Sequence, residues 1–250
     1  MKLKSILVSQ PQPADGEKSP YIELGKKHNI KVDFFKFIKI EGVDSKEFRR
    51  ERIHLEDYTA LILTSRNAVD HYFRIARELR FEVPENMKYF CLTESTAFYL
   101  QKYVQYRKRK IFHGKQEFVE LIEVIKKHKN ERFLLPCSDI TKNDIPKLLE
   151  KHAIEHKRVT IYCTVPADLS EINVSTYDMI ILFSPVGVQS LFRNFPDFKQ
   201  DHILIGTVGP ATTKAAKDAG LTVNLSAPTK TAPSMTMALE EFIQKNSKKK

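Results

Sequence analysis

Two distant segments of the sequence share one pattern. Residues 58–73 and residues 177–192 each consist of an apolar run, a serine and an amphipathic stretch, and their serines, Ser65 and Ser184, stand 119 positions apart. An apolar run followed by an amphipathic stretch predicts a strand, a turn and a helix. Because each parallel unit must complete its own sheet, the repeat indicates two similarly built α/β units.

Two further pairs of segments follow at almost the same separation. Thr96 and Thr212, each at a predicted strand-to-helix turn, stand 116 positions apart. Residues 118–125 and 235–242 then continue the repeat as a closing helix. The fold class predicted is therefore α/β, with two similar parallel-sheet domains of flavodoxin-like type.

Strand-like apolar runs alternate with helical patterns along most of the chain. The predicted strands are Lys4–Val8, Lys31–Ile40, Ala60–Thr64, Lys88–Leu92, Arg132–Pro136, Arg158–Thr164, Met179–Phe183, Ile203–Thr207 and Thr222–Asn224. The predicted helices are Asn67–Leu79, Ser95–Tyr103, Glu117–His128, Lys142–His152, Gly187–Phe192, Ala211–Ala219 and Ser234–Gln244.

The two copies do not divide the chain at its middle. One strand precedes the first copy, and the second copy begins only after Arg158–Thr164. We therefore expect one domain built from both chain ends and one inserted domain, connected by a two-stranded β-ladder with a cleft between the domains. The expected bounds are 1–34 with 166–250 for the first domain, 41–157 for the inserted domain, and 35–40 and 158–165 for the connecting strands.

The composition excludes several classes of protein. With 250 residues, of which 42% are hydrophobic, the chain has enough apolar material for a core, which excludes a disordered protein. The absence of an apolar run approaching twenty residues predicts no transmembrane helix and no membrane partner. Cys91, Cys137 and Cys163 are far apart, so neither a disulfide framework nor a zinc site is expected. A cytoplasmic enzyme or binding protein fits these features.

Taken alone, the formal net charge of +10 would suit nucleic acid, an acidic membrane surface, or a polycarboxylate or phosphate ligand, although a membrane partner is not expected here. Part of this charge lies in residues 107–110 and 248–250, which are most simply a solvated loop and a frayed tail. Charge alone does not select the partner.

The sequence lacks the common cofactor motifs. There is no Walker loop, no dinucleotide-binding glycine motif and no Gly-x-Ser-x-Gly elbow, which argues against an NTPase, a dehydrogenase and a hydrolase. His152 and His156 have metal-pair spacing, but the residues between them are typical of a loop that leaves a helix. No cofactor and no metal are therefore expected.

Six segments, taken in order, resemble the uroporphyrinogen-III synthase family. They are Leu63–Val69, Leu134–Ser138, Ile145–Leu149, Val159–Thr164, Phe183–Pro185 and Val208–Ala216. Each is short enough to occur in unrelated α/β proteins, but together they span nearly the whole chain. The resemblance implies a monomeric two-domain enzyme that closes the tetrapyrrole hydroxymethylbilane to uroporphyrinogen III, with inversion of ring D and without a cofactor.

Hydroxyl side chains at the predicted strand-to-helix turns suit this substrate, because every pyrrole carries an acetate and a propionate. Open α/β sheets bind ligands at these turns, where backbone N–H groups are free. The predicted substrate-binding residues are Ser65, Arg66, Thr96, Ser138, Ser184, Thr212 and Thr213. Serine and threonine are also favoured helix N-caps without any ligand, so capping is the alternative reading of these hydroxyls.

Tyr162 is the predicted catalytic residue. The resemblance of Ile161–Thr164 to the family's Val-Tyr-x-Thr segment implies that this tyrosine faces the substrate and assists loss of its hydroxyl group. A phenol has a reference pKa of about 10 and can donate a hydrogen bond to a departing hydroxide at neutral pH. The alternative is a strand tyrosine that only packs at a domain edge.

The chain departs from the family pattern at two places. Ser9 and Gln10 occupy the position of a common Thr-Arg-Pro segment, and Thr93 and Glu94 replace a glycine. At the first place a candidate carboxylate-binding arginine is missing, and at the second Glu94 brings a negative charge close to the expected anion site, for which we expect Arg66 to compensate. A non-catalytic bilobal binding protein for an anionic small molecule and a nucleic-acid-associated protein are the rival functions, although no nucleic-acid partner is expected.

Overall fold

The computed structural model describes residues 3–14, 17–115, 117–141 and 143–247. The expected start of a helix at Lys142 and the last residues of the basic tail, 248–250, lie outside these ranges. Every helix in the described ranges is too short or too polar to span a membrane.

Strands and helices alternate along the chain. The strands are β1 (Ser5–Val8), β2 (Lys31–Phe34), β3 (Ile38–Gly42), β4 (Ala60–Leu63), β5 (Lys88–Cys91), β6 (Ile111–His113), β7 (Phe133–Ser138), β8 (His156–Pro166), β9 (Met179–Leu182), β10 (Leu204–Val208) and β11 (Val223–Ala227). The helices are α1 (Pro20–His28), α2 (Ser45–Arg50), α3 (Arg66–Glu78), α4 (Glu94–Leu100), α5 (Phe118–Lys126), α6 (Asp144–Lys151), α7 (Pro185–Asn194), α8 (Pro210–Asp218) and α9 (Met235–Ser247).

The chain forms two compact units. The first contains residues 1–39 and 165–250, and the second contains residues 40–164. The chain therefore enters the second unit within β3 and leaves it within β8.

The first unit contains a five-stranded sheet in the order β11-β10-β9-β1-β2. All four neighbouring pairs are parallel. Ile6 of β1 pairs with Val32 of β2 on one side and with Met179 of β9 on the other. The N-terminal strand is thus an interior strand of a sheet whose other members, β2 excepted, come from the C-terminal part of the chain.

The second unit contains a six-stranded sheet in the order β3-β8-β7-β4-β5-β6. Leu61 and Leu63 of β4 pack in the apolar cluster that includes α3, whereas Ala60 and Ile62 pack in a second cluster with α5. Because helices cover both faces, the central strand is apolar at every position, as is usual for parallel sheets.

The expectation of one continuous strand from Lys31 to Ile40 is wrong. Residues 31–34 form β2 in the first sheet, and β3 begins only at Ile38, in the second sheet. The apolar pattern of residues 31–40 does not show the break at residues 35–37, so the interruption of the strand was not visible in the sequence.

The second half of this segment pairs with β8. The amide of Val43 donates to the carbonyl of Ile161 over 3.0 Å, and the amide of Ala167 donates to the carbonyl of Phe37 over 2.9 Å. Residue numbers rise along one segment as they fall along the other, so β3 and β8 are antiparallel.

Three described elements were not predicted, namely α1, α2 and β6. Helix α2 and strand β6 have only six and three residues, which is too short for a period to be recognised. The predicted strands and helices other than 31–40 are present, with ends shifted by no more than three residues.

Candidate active site

The orientation of Tyr162 follows from an irregularity in the pairing of β7 with β8. The register shifts between Cys137 and Ser138, so that Ser138 lies opposite Tyr162. In a regular strand, neighbouring side chains point to opposite faces of the sheet. Here Ile161 and Tyr162 both belong to the apolar cluster that packs against α3. The shift thus directs the tyrosine towards α3, as bulges near functional sites commonly do.

The hydroxyl of Tyr162 lies 3.2 Å from the Oγ of Ser65. Ser65 is the N-cap of α3, and its Oγ accepts a hydrogen bond from the amide of Ala68 over 3.1 Å. Capping and contact with the tyrosine therefore occur together, because a serine oxygen can accept two hydrogen bonds and also carries a proton. Two of the predicted site residues, 97 positions apart in the sequence, are brought together in this way.

The ring of Tyr162 stacks on the imidazole of His71, which lies in the second turn of α3. The ring centroids are 5.1 Å apart and the planes are inclined by 21°. Tyr162 is only 7% exposed, so its ring is held between the helix and its own strand. His71 was not singled out in the sequence, although its spacing of three from Arg74 places both side chains on one flank of α3.

Arg74 links His71 to the edge of the sheet. Its Nε donates to the Nδ1 of His71 over 3.3 Å. Its Nη2 donates to the carbonyls of Val43, over 2.8 Å, and Ile161, over 3.3 Å. A Cβ added to Gly42 would come within 2.6 Å of this guanidinium, so the glycine leaves the space that the arginine occupies.

The pKa of the His71 imidazole is lowered from its ordinary value of 6.5, chiefly by burial and also by the charge of Arg74. Asp70, on the same helix, partly opposes this shift. Because a protonated Nδ1 cannot accept the hydrogen bond from Arg74, geometry and electrostatics both favour the neutral ring with its proton on Nε2.

Cys163 follows Tyr162 on β8 and remains a protonated thiol. Burial raises its pKa, and the nearby carboxylates of Asp139, Glu47 and Glu41 raise it further. Since a thiolate, rather than a thiol, acts as a nucleophile, this environment disfavours covalent chemistry at Cys163.

The remaining predicted residues of the second unit have other partners. Ser138 is buried, and its hydroxyl lies 2.9 Å from that of Thr141. Thr96 is also buried, and its Oγ1 lies 3.0 Å from Thr93, the N-cap of α4. Arg66 is exposed, with its guanidinium 5.4 Å from the centre of the Tyr99 ring. None of these side-chain contacts joins the three residues to Tyr162, although Ser138 is its backbone neighbour in the pairing of β7 with β8.

Ser184 occupies in the first unit the place that Ser65 has in the second. It is the N-cap of α7, and its Oγ accepts from the amide of Gly187 over 3.0 Å. Each serine follows a buried strand and bonds to the amide three residues later. The repeated sequence pattern therefore corresponds to a repeated structural motif.

Thr212 and Thr213 lie in the first turn of α8. Thr212 is 3% exposed, whereas the Oγ1 of Thr213 lies 2.7 Å from Thr207 and donates to the carbonyl of Gly209 over 3.1 Å. Thr213 also lines an open depression of about 680 Å³, together with two lysines of α8, Lys214 and Lys217. Of the two threonines, Thr213 is the one that a ligand can reach.

Within the described ranges, no three His, Cys, Asp or Glu side chains are grouped so that they could hold a metal ion. His156 begins β8, and its Nδ1 lies 3.0 Å from the carbonyl of Ile154, whereas His152 ends α6. The two histidines with metal-pair spacing are thus on different elements.

The structure resembles solved uroporphyrinogen III synthases along its whole length. The enzyme from Helicobacter pylori is 17% identical, with 97% of this chain and 99% of that chain covered and a TM-score of 0.54. A mutant form of the enzyme from Thermus thermophilus is 13% identical, with 98% and 99% covered and a TM-score of 0.48. At 17% identity, the similarity to the Helicobacter structure supports the fold alone.

Family membership follows from the sequence itself. The family model described as uroporphyrinogen-III synthase HemD matches residues 19–237, which include both copies of the serine motif and all of β8. The chain belongs to the uroporphyrinogen-III synthase family.

Proposed function

We propose that this chain closes hydroxymethylbilane to uroporphyrinogen III with inversion of ring D. The observation that carries this proposal, beyond family membership, is the tyrosine hydroxyl directed towards the N-terminus of α3 by the register shift in β8. The reaction needs a group that assists departure of a hydroxide, and a neutral phenol can do so by donating a hydrogen bond.

In this reaction the substrate's hydroxyl group takes up a proton from solvent and departs as water, which leaves an azafulvene cation. The substituted carbon of ring D attacks this cation and forms a spiro intermediate. Cleavage of a bond in that intermediate, reclosure of the ring at the other position and loss of a proton give the type III product. We assign to Tyr162 the hydrogen bond to the departing oxygen, with Ser65 holding the phenol in place.

The predicted binding residues are proposed to hold the acetate and propionate groups of the substrate. Ser65, Arg66, Thr96 and Ser138 belong to the second unit, and Ser184, Thr212 and Thr213 belong to the first. Exposure favours Arg66 and Thr213 for direct contact, since Thr96, Ser138 and Thr212 are buried. The net charge of +10 favours an anionic ligand of this kind.

The decisive experiment is an isomer assay. Purified protein is incubated with freshly prepared hydroxymethylbilane, the products are oxidised, and the type I and type III porphyrins are separated. The proposal predicts mainly type III product, because the uncatalysed ring closure gives type I. Tight binding of the substrate with only type I product would instead identify the non-catalytic binding protein.

We further propose that the chain acts as a monomer in the cytoplasm and without a nucleic-acid partner, with segments 35–40 and 158–165 connecting its two domains. The three cysteines are free, as is usual in a reducing compartment. Light scattering after gel filtration should give a mass near 29.0 kDa. Retention on DNA that falls steeply with salt would contradict the absence of a nucleic-acid partner.

A further inference from the structure

Tyr162 can donate a hydrogen bond to a departing hydroxide only while its ring keeps one orientation. In a regular strand, side chains alternate between the two faces of the sheet, and this alternation sets the direction of each side chain. The register shift beside Tyr162 interrupts the alternation. The hydrogen bond to Ser65 fixes only the hydroxyl end. The face of the ring is covered by His71, whose plane is nearly parallel to it.

The imidazole is itself held in place. Arg74 donates to its Nδ1 and is anchored to two backbone carbonyls, at Val43 beside β3 and at Ile161 next to the tyrosine. A third oxygen partner of this arginine, the carboxylate of Glu78, accepts from Nη1 over 2.6 Å. An arginine with its three nitrogens engaged is a fixed support, because moving it would break several charge-assisted hydrogen bonds.

We infer that His71 is a positioning residue for Tyr162: held by Arg74, its imidazole supports the phenol ring so that the hydroxyl remains beside Ser65. This inference rests on the proposed function, in which the phenol assists hydroxide departure. His71 acts through the tyrosine and has no separate contact with the substrate, which distinguishes its role from that of a catalytic residue.

A double-mutant cycle between His71 and Tyr162 tests this role. If His71 acts only through the phenol hydroxyl, His71→Ala should lower kcat about two- to tenfold, the same range as loss of one neutral hydrogen bond, with KM nearly unchanged. In the Tyr162→Phe background, the same replacement should cause no further loss of kcat, because the hydroxyl that it positions is already absent. Equal losses in both backgrounds would overturn the inference.

His128→Ala is the matched control. The His128 ring also packs against aromatic rings, with its centroid 4.6 Å from that of Phe112, and its pKa is also lowered by burial and a nearby cation, Lys88. It lies beside Phe90, in the cluster on the other face of the second sheet. This variant should keep the kcat of the unmodified chain, so a drop in kcat as large as that of His71→Ala would show a general effect of losing a stacked histidine.

A readout that needs no turnover separates this inference from the proposed function. With 13C-labelled tyrosine, the ring signal of Tyr162 is assigned as the signal missing in Tyr162→Phe. It should shift as pH is lowered through the titration of His71, and this shift should vanish in His71→Ala and persist in His128→Ala. The charged groups facing His71 are Arg74 and Asp70 on α3, and Tyr162 faces it from β8.

The two failures are distinct. If the unmodified chain forms no type III product, the proposed function fails, and the tyrosine signal alone decides whether His71 supports the ring. If type III product forms but the cycle is additive, or the tyrosine signal is unaffected by His71→Ala, the proposed function stands and the positioning role is rejected.

Discussion

The hydroxyl and the ring of Tyr162 have different supports. The hydroxyl lies against a helix cap and the ring against a half-buried imidazole, so the two parts of the side chain are fixed by two turns of the same helix. Removing the hydroxyl should therefore leave the packing of the ring nearly intact, which makes a conservative replacement informative.

Replacement of Tyr162 by phenylalanine should preserve the fold and the substrate affinity while lowering turnover. A neutral hydrogen bond contributes roughly 0.5–1.5 kcal/mol net, so the expected loss in kcat is about two- to tenfold. Steady-state kinetics and thermal unfolding of the same variant test this expectation. Tyr177→Phe, which removes a hydroxyl bonded to Asp33 in the first unit, is the matched control and should leave kcat unchanged. Wild-type turnover in Tyr162→Phe would make the tyrosine a packing residue.

Acidification should destabilise the protein through His71 and His128, whose pKa values are both lowered in the folded chain. At a given pH the histidines of the unfolded chain therefore bind protons more readily than those of the folded chain. Their contribution to the free energy of unfolding is complete above about pH 6.5 and is lost as pH falls through the folded-state pKa. Urea unfolding between pH 8 and pH 5 should show this decrease. Replacing either histidine by glutamine should flatten the curve, and an unchanged slope in both variants would contradict the assignment.

The sequence identified Tyr162 and Ser65 as separate candidates, but it did not show that they touch. Their contact depends on the register shift in β8, which involves hydrogen bonding between strands and leaves no local pattern. His71 was missed for a related reason. A polar residue on the flank of an amphipathic helix usually faces solvent, and only the tertiary structure places a tyrosine over it.

At the scale of single elements, the repeated unit is a strand, a serine cap and a helix. Both caps have extended backbone angles, with φ and ψ of −160° and 164° at Ser65 and −153° and 156° at Ser184. This agreement explains why the repeat was the most informative feature of the sequence. The spacing of apolar residues and the cap are local properties, and local properties can be inferred without knowing the fold.

Ser65→Ala and Ser184→Ala should each lower the free energy of unfolding by about 1 kcal/mol, the usual cost of losing a hydroxyl N-cap. Only Ser65→Ala should also lower kcat, because Ser65 alone of the two contacts Tyr162 among the described hydrogen bonds. Urea unfolding and kinetics measure the two effects. Ser175→Ala, at an exposed serine, is the control and should change stability by less than about 0.5 kcal/mol. If Ser65→Ala keeps the normal kcat, Ser65 acts only as the N-cap of α3 and does not support Tyr162.

Helix α1, one of the elements that escaped prediction, has a weak apolar period but clear boundary residues. Helix α1 begins with Pro20 after Ser19 and ends with Lys26, Lys27 and His28, which are typical start and stop signals. Its apolar pattern is faint, with only Leu24 and Gly25 buried. Boundary residues would therefore have identified this helix where periodicity did not.

At the scale of the whole molecule, the two units differ in how the chain builds them. Residues 40–164 are continuous, whereas the first unit needs residues 1–39 as well as 165–250. The sequence repeat indicated two units, and the position of the first strand indicated that one of them uses both ends. Which strands become neighbours was not predictable, because pairing between distant segments depends on the completed sheet.

A fragment of residues 40–164 should fold alone, whereas a fragment of residues 165–250 should not. The second fragment lacks β1, so β9 would be left as an uncovered edge with buried apolar residues on it. Circular dichroism and urea unfolding should show a cooperative transition only for the first fragment. Adding a peptide of residues 1–39 should restore structure to the second. Independent folding of residues 165–250 would contradict this view of the first unit.

The interior position of β1 also has a consequence for synthesis on the ribosome. Val8, at the end of β1, emerges about 170 residues before Met179, which begins β9, the second of the two strands that pair with β1. At roughly 5–20 residues per second, this interval is on the order of ten to thirty seconds. During that time residues 40–164 can fold and β1 can pair with β2, but the other edge of β1 has no partner until β9 emerges. We therefore expect chaperones that bind nascent apolar segments to have their longest time for binding at β1.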